Sequence, residues 1–203
     1  MTLDFLGAAA AQLTNQVPRV VPLLMTSSGQ FNGQLPPDLP VGNYSATIRA
    51  FDRKVATVQQ TIRVDRYSPA VLVDSNGQVS IYHADGRPVT KSNPAKRDEK
   101  LVMYAVGLGV PRGTTRLVTG QPTPATPVFE TEKVDVFFGD PRIREAAIIV
   151  DKSVVEPEMV GIYRLELRVP GAHIRGEELP ITVRIGNISS PTTGPAVPKI
   201  AVD

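Results

Sequence analysis

Alternating apolar and polar residues dominate the chain from Val17 onward and predict short β-strands. In "NYSATIRAF", Tyr44, Ala46 and Ile48 fall on one side of the chain, and polar residues fall on the other. Side chains two residues apart share a face of a strand, so this pattern gives each strand one dry face and one wet face. Strands of that kind are typical of antiparallel sheets.

Turn signals separate the predicted strands. Residues 75–77, Ser-Asn-Gly, lie between two apolar runs and predict a hairpin, because Asn and Gly both tolerate positive φ. "DGRP" at residues 85–88 predicts a second turn, and "EKLVMYAVGLG" predicts a long strand closed by Gly107. Only the first dozen residues, through the alanines at 8–11, predict a helix. Five further strands are predicted in "KVDVFFG", "EAAIIVD", "IYRLELRVP", "LPITVRIG" and "AVPKIAVD".

One unit of strand, proline-marked crossover, turn and strand occurs twice. When Pro36 is aligned with Pro170, both copies continue through a polar turn with a glycine into an alternating strand, and both end in Val-Asp. Repetition of one supersecondary unit indicates tandem domains. We therefore predict an all-β fold of two tandem immunoglobulin-like antiparallel β-sandwich units. The first unit, small and either complete or partial, covers residues 1–66, and the second covers residues 67–203.

Composition removes several classes of function. The 22 Lys and Arg against 20 Asp and Glu leave a net charge of +2, which is too small for a nucleic-acid footprint. The chain has no cysteine, which excludes disulfides, thiolate metal sites and cysteine nucleophiles. The apolar stretch "DFLGAAAAQL" is too short to span a bilayer and lacks the basic flank of a signal peptide. We expect no membrane insertion, and for an exported protein we expect the signal to lie upstream of residue 1.

Few residues suggest chemistry. His83 and His173 are the two histidines, and they lie in different predicted segments without a second imidazole at ligand spacing. "DSNGQ" resembles the first half of a calcium loop, but the twelfth position is Asp85 and not glutamate, so a hairpin turn is the better interpretation. Weak calcium binding near Asp74 and Asp85 stays open. We predict no catalytic residue, no metal ligand and no cofactor.

The tyrosines are the remaining candidates for ligand binding. Tyr44, Tyr104 and Tyr163 lie in register with aliphatic neighbours, which predicts that they pack in the core with a hydrogen-bonded hydroxyl. A core position is less clearly indicated for Tyr67 and Tyr82, so they are the candidate ligand-binding residues, with rings that would stack on a sugar. Trp is absent and aromatic residues make up only 5% of the chain, which limits such a surface.

Three phrases of the sequence resemble those of a known group of proteins. They are Q-x-N-x-Q-x-P at residues 30–36, "SNP" at residues 92–94 ahead of a strand ending in "GLG", and Y-x-x-x-x-x-VP at residues 163–170. From residue 17 to residue 203 the chain resembles a family of secreted domains of unknown function from soil bacteria. Those domains commonly form the C-terminus of large exported proteins, behind immunoglobulin-like or propeller repeats. The resemblance implies location and architecture and no activity; His83 and the acidic segment 151–160 depart from the pattern.

These observations lead to one expected function and one alternative. We expect a non-enzymatic extracytoplasmic module, secreted or at the cell surface: a structural spacer, adhesion or protein-interaction domain of a larger exported bacterial protein. Its expected partners are other extracellular proteins, glycans or other domains of the same polypeptide. The alternative is a carbohydrate-binding module associated with an enzyme, in which Tyr67 and Tyr82 contact the glycan.

Overall fold

The computed structural model describes residues 9–26, 31–50, 57–74, 76–111, 117–171, 174–195 and 197–203. Within these ranges the chain forms fifteen strands and one short 3-10 helix, and all the pairs between the strands are antiparallel. The all-β, antiparallel prediction is confirmed. Contacts divide the chain into two compact units, residues 1–66 with 115–123 and residues 67–114 with 124–203.

The first unit contains a four-stranded sheet and a separate strand pair. The sheet has the order β2-β1-β5-β6, and β3 pairs with β4. The prediction of a helix at the start of the chain is wrong, because the described part of that segment is strand β1. Residues 1–8 lie outside the described residues. Pairing of β1 with β2 on one edge and β5 on the other outweighs the helix propensity of alanine. The strands are β1 (Ala9–Thr14), β2 (Pro18–Val21), β3 (Leu23–Thr26), β4 (Phe31–Gly33), β5 (Gly42–Ala50) and β6 (Thr57–Val64).

The core of the first unit is small and is closed by a tyrosine. Leu13 from β1, Tyr44 from β5 and Val64 from β6 are buried in one cluster. The Tyr44 hydroxyl donates a hydrogen bond to the carbonyl oxygen of Pro40 at 2.8 Å, so the predicted core position of Tyr44 is confirmed.

The second unit is built on one nine-stranded sheet. Seven strands follow the order β14-β13-β10-β11-β12-β9-β7, while β15 pairs with β13 and β8 pairs with β9. Ile81 and Met103 from one end of this order share a single core cluster with Ile181 and Val183 from the other end, so the sheet curls over on itself. The strands are β7 (Ala70–Val71), β8 (Ile81–His83), β9 (Lys100–Val106), β10 (Val134–Phe138), β11 (Ala147–Val155), β12 (Tyr163–Arg168), β13 (Gly176–Ile185), β14 (Ile188–Ser189) and β15 (Lys199–Val202), and the 3-10 helix is Arg144–Ala146.

Strand β11 joins the two halves of this sheet. It pairs with β10 only at Ala147 and Ile148, and with β12 over six residue pairs from Ile149 to Val155. The register shifts at Asp151, between the paired residues Val150 and Lys152. A bulge of this kind bends a strand and increases its twist, which suits a strand shared by two halves of a curled sheet.

Both predicted turns are present. The amide of Asp74 donates to the carbonyl of Gln78 at 2.9 Å, and Gly77 has φ +77°; Ser75 itself lies outside the described residues. At the second turn the amide of His83 donates to the carbonyl of Arg87 at 2.9 Å, and Gly86 has φ +83°. The two hairpin turns are therefore confirmed.

Candidate functional site

Strand β9 has apolar residues on both of its faces, and this is the origin of the candidate site. Leu101 and Met103 are buried in the core, whereas Val102 and Tyr104 alternate with them and face outward, half-buried. Tyr82 of β8 is paired directly with Val102 and faces outward too. The sequence of β9 thus places an apolar and aromatic strip on the outer face of the sheet.

This strip is the floor of an open cavity in the second unit with a volume of about 480 Å³. The cavity, called here the outer-face groove, lies entirely among residues of that unit. Most of its surface is aliphatic or aromatic, as in sites that bind apolar groups. Its main lining residues are Leu72, Tyr82, Val102, Tyr104, Met159 and Ile162.

The two tyrosines of the groove meet edge to face. The ring centroids of Tyr82 and Tyr104 lie 6.0 Å apart with an angle of 71° between the ring planes. Partial burial raises the pKa of Tyr104. The prediction that Tyr104 packs in the core is therefore wrong: the alternation of β9 is correct, but both faces are apolar and the pattern alone does not say which one is inside.

Tyr67 lies elsewhere. It is partly buried and packs against the core cluster of the second unit, close to Gly186 after β13. It does not line the groove, so the structure does not bring Tyr67 and Tyr82 together. The hypothesis that each contacts a ligand stays a prediction, and of the two residues Tyr82 has the position suited to it.

A tight loop between β11 and β12 forms one wall of the groove. The amide of Glu156 donates to the carbonyl of Ile162 at 2.9 Å, which closes the loop, and Glu158 adopts φ +61° at its tip. The loop holds Met159, 47% exposed, and Ile162 against the cavity. Methionine adapts its shape to different apolar partners, so this wall suits recognition by packing.

Charged residues lie at both ends of the floor of the groove. Arg164, which is paired with Tyr104 across the strands, donates from Nε to Glu156 Oε2 at 2.7 Å and lies 3.1 Å from Glu166 Oε1. At the opposite end of β9, Lys100 is exposed and forms no ion pair with any residue of the described ranges. Its cross-strand neighbour Arg168 is held by Asp151 at 2.9 Å.

His83 is a structural residue at the edge of the groove. It is 6% exposed, its Nδ1 lies 2.6 Å from Glu99 Oε1, and its Nε2 lies 3.3 Å from the carbonyl oxygen of Asn93. The other Glu99 oxygen accepts from the amide of Lys96 at 2.8 Å. The buried imidazole thus fastens the β8 hairpin to the segment before β9. The sequence does not predict the part played by Glu99, because nothing in the spacing of His83 and Glu99 indicates their contact. The other histidine, His173, lies outside the described residues.

Asp74 and Asp85 each belong to their own turn. Asp74 Oδ1 accepts from the amides of Asn76 and Gln78 at 2.8 and 2.9 Å. Asp85 accepts from the amide and the Nε of Arg87, and these bonds lower the pKa of its carboxyl group. Within the described ranges, three or more His, Asp or Glu side chains do not come together as a metal site.

Tyr163 makes the free energy of unfolding of the second unit depend on pH. Its hydroxyl donates to the carbonyl oxygen of Gly109, as predicted, and burial raises its pKa from 10.0 to about 12. An unfolded tyrosine loses its proton near pH 10, so this stabilisation is complete below pH 10 and is lost as the pH rises to about 12. We expect the free energy of unfolding, measured with urea, to fall over that range and to fall less in Tyr163→Phe. Phenolate absorbance showing all five tyrosines titrating together near pH 10 would contradict this.

No family model, curated protein or solved structure matches this chain. The resemblance to secreted bacterial domains therefore depends on the sequence phrases alone and stays a prediction. In the part of the chain that the structure describes, no helix has the length and apolar character needed to cross a membrane.

Proposed function

We propose that this chain is a pair of tandem immunoglobulin-like units that serves as a non-enzymatic interaction or attachment module of a larger exported bacterial protein. Its binding surface in this proposal is the outer-face groove. The observation that carries the proposal is the groove itself: an apolar, aromatic floor on a rigid sheet, open to solvent. Largely apolar cavities with a few polar groups are common places for another molecule to bind.

The first unit supports the immunoglobulin-like part of the proposal. The chain crosses from β4, which pairs with β3, to β5, which pairs with β1 and β6. Just after this crossover, Tyr44 donates from its hydroxyl to the carbonyl of Pro40, four residues upstream. A tyrosine bonded back to the backbone at such a corner is a hallmark of immunoglobulin-like sandwiches.

The repeated unit supports the tandem arrangement. In the second copy the chain leaves β12, passes Pro170 and enters β13, which pairs with β10 and β15 and not with the neighbours of β12. Both copies thus move from one set of partner strands to another at the aligned proline. Connections that change partners in this way are typical of Greek-key sandwiches.

The placement of the strongest carboxylate ion pairs at the surface supports a non-enzymatic role. Lys199 and Lys91 bind the exposed carboxylate of Glu178 and lower its pKa to about 2, and Arg142 does the same to Asp140. Active sites more often shift pKa values through burial inside a cleft. These two carboxylates instead join or cap elements at the surface, where ion pairs contribute little stability and offer no general acid or base.

Carbohydrate binding is the second candidate function, and the outward-facing, half-buried tyrosines of the groove favour it. A sugar stacks on the face of an aromatic ring. The angle of 71° between Tyr82 and Tyr104 prevents a common flat platform, and the rest of the lining is mainly apolar, with Ser80 and His83 as its polar side chains. We therefore favour a protein partner over a glycan as the ligand of the groove.

Photocrosslinking in the native host tests the proposed function. The full chain, secreted from that host, would carry Tyr82→p-benzoylphenylalanine in the groove. Ile143→p-benzoylphenylalanine, at a position 52% exposed in the same unit, is the matched control. We expect a protein adduct, identified by mass spectrometry, from position 82 and not from position 143.

A glycan array separates the two candidate functions. Reproducible glycan binding that disappears in Tyr82→Ala or Tyr67→Ala would favour the carbohydrate-binding module. If position 82 gave no adducts and the array showed no glycan binding, the groove would be refuted as a binding surface.

A further inference from the structure

We infer that strand β6 is a dimer interface, at which β6 of a second copy of this chain pairs with it antiparallel and joins the four-stranded sheets of the two copies edge to edge. This surface belongs to the first unit and is separate from the outer-face groove, so the inference goes beyond the proposed function. It follows from the open edge of β6, from the way in which the other sheet edges are closed, and from the charges along the strand.

Strand β6 is the longest strand at a sheet edge in the described part of the chain. It has eight residues, Thr57–Val64, and ends the order β2-β1-β5-β6. Within the described ranges it pairs with β5 alone, and its backbone bonds to no other segment. No described residue therefore occupies the row of amide and carbonyl groups on its outer side, and such a row is a template for a further strand.

The sequence of β6 lacks the features that usually protect a sheet edge. Proteins commonly keep an edge strand from pairing by short length, by proline or by charged side chains. Residues 57–62, "TVQQTI", contain no proline, no glycine and no charge. The one charged residue of the strand, Arg63, is bound to Asp65 of its own chain at 3.0 Å. A second strand can therefore approach without meeting an unpaired charge.

The other described sheet edges are short or closed, and this selects the partner. Strand β2, at the opposite edge of the same sheet, has four residues, begins with Pro18 and is followed by Pro22. Strands β7 and β14 have two residues each. Beside β15, the amide of Ala95 donates to the carbonyl of Ala201 at 3.0 Å. In a second copy of the chain, β6 is thus the long edge that remains open to pair.

Symmetric pairing also limits the size of the assembly. Two copies that pair β6 with β6 use both open edges, and the joined sheet then ends in β2 on either side. Proline has no amide hydrogen to donate, so β2 is a poor template for a further strand. An interface that uses the same patch on both copies closes at a dimer and does not extend into a filament.

A two-fold axis at Gln60 gives the best register. Residues directly opposite each other in an antiparallel pair share a face, so this axis pairs residues 57–63 of the two copies and sets Gln60 opposite itself. Two glutamine amides can hydrogen-bond to each other. The two Arg63 residues then lie at opposite ends of the ladder, roughly 20 Å apart. An axis at Thr61 would instead set Gln60 opposite the apolar Ile62.

Sedimentation of the full chain over a range of concentrations tests the inference. We expect a monomer–dimer equilibrium without larger species. Gln60→Lys places like charges directly opposite each other and is expected to raise the dimer dissociation constant by about tenfold or more. The matched control is Gln16→Lys, the same change at an exposed position in the turn between β1 and β2. It is expected to alter the dissociation constant by less than about twofold.

A charge exchange separates lost pairing from damage to the fold. Gln60 is exposed, so neither Lys nor Glu there should change the unfolding curve by much. Gln60→Glu alone is expected to weaken the dimer as Gln60→Lys does. An equimolar mixture of the two variants is expected to form a heterodimer, because opposite charges then face each other. A misfolded strand would not recover on mixing.

Disulfide crosslinking locates the axis, since the chain has no cysteine of its own. Directly opposite residues of an antiparallel pair have Cα atoms about 4.5–5.5 Å apart, a separation that a disulfide spans. Gln60→Cys is therefore expected to give a covalent dimer under mild oxidation. The control Val20→Cys, at a 69% exposed position of β2, is expected to stay monomeric under denaturing conditions.

Each contrary result overturns the inference. A chain that stays monomeric at its highest soluble concentration does not pair through β6. Larger oligomers, or a dimer that Gln60→Lys leaves intact, would show that the copies meet at another surface. Equal crosslinking of Gln60→Cys and Val20→Cys, or two charge variants that do not associate on mixing, would have the same meaning. These results leave the groove untouched, because its test is the adduct from position 82.

Discussion

Gly107→Ala is expected to lower the free energy of unfolding of the second unit by about 3 kcal/mol or more. Gly107 has φ +74°, a conformation that costs a residue with a Cβ about 1–2 kcal/mol. A Cβ there would lie 1.8 Å from the backbone oxygen of Ser68, which cannot rotate away. The chain must separate at this point, and the hydrogen bond from the Ser68 amide to the Gly107 carbonyl, 2.9 Å long, is lost with it.

Gly77→Ala is the matched control for this prediction. Gly77 has nearly the same φ, +77°, but a Cβ there would have no atom within 4 Å. Gly77→Ala should therefore lower the free energy of unfolding only by the cost of placing alanine at positive φ, about 1–2 kcal/mol. Urea unfolding followed by tyrosine fluorescence reports mainly on the second unit, which holds four of the five tyrosines. Equal losses in the two variants would show that Gly107 does not approach Ser68.

Phe138→Ala is expected to destabilise the second unit by about 3–5 kcal/mol. Phe138 is the last residue of β10, is 1% exposed, and lies in the core cluster opposite Ile181 of β13. Removing the ring takes away its apolar contacts and leaves a cavity between the two halves of the curled sheet, which the backbone of β10 and β13 prevents from collapsing.

Ile143→Ala separates this effect from a general sensitivity to truncation. Ile143 is 52% exposed in the same unit, so its loss should change the free energy of unfolding by about 0.5 kcal/mol or less. Urea unfolding of both variants measures the difference directly. If Phe138→Ala cost no more than Ile143→Ala, Phe138 would have to lie outside the core.

Local pattern was sufficient for strands and turns. Alternation identified β5, β9 and β13, because a half-buried strand requires apolar residues at every second position. The turns at 74–78 and 83–87 followed from Asn-Gly and Asp-Gly, since positive φ restricts the residues that a turn accepts. These features depend on neighbours in the chain, and the sequence displays such neighbours directly.

Pairing between distant segments was beyond that pattern. Strand β1 was predicted as a helix because its alanines favour one, and only its pairing with β2 and β5 makes it extended. The pattern places Tyr104 in the core because it lies in register with aliphatic neighbours, but both faces of β9 are apolar and the curl of the sheet decides which face is covered. The contact between His83 and Glu99 depends on the same long-range geometry. Of the residues that line the groove, the sequence therefore predicts only Tyr82 as a binding residue.

The two-pair ladder between β10 and β11 has a mechanical consequence. Under tension applied across the sheet, a ladder yields according to the number of backbone bonds loaded together, and neighbouring ladders on this path have five and six residue pairs. Tension across the sheet would therefore open it first between β10 and β11, while β15, which pairs with β13, would still be linked to the segment before β9 through the backbone hydrogen bonds of Ala95. The groove lies wholly on the β11 side of this opening, among β8, β9 and the loop between β11 and β12, so a partner bound there would remain attached after the first rupture.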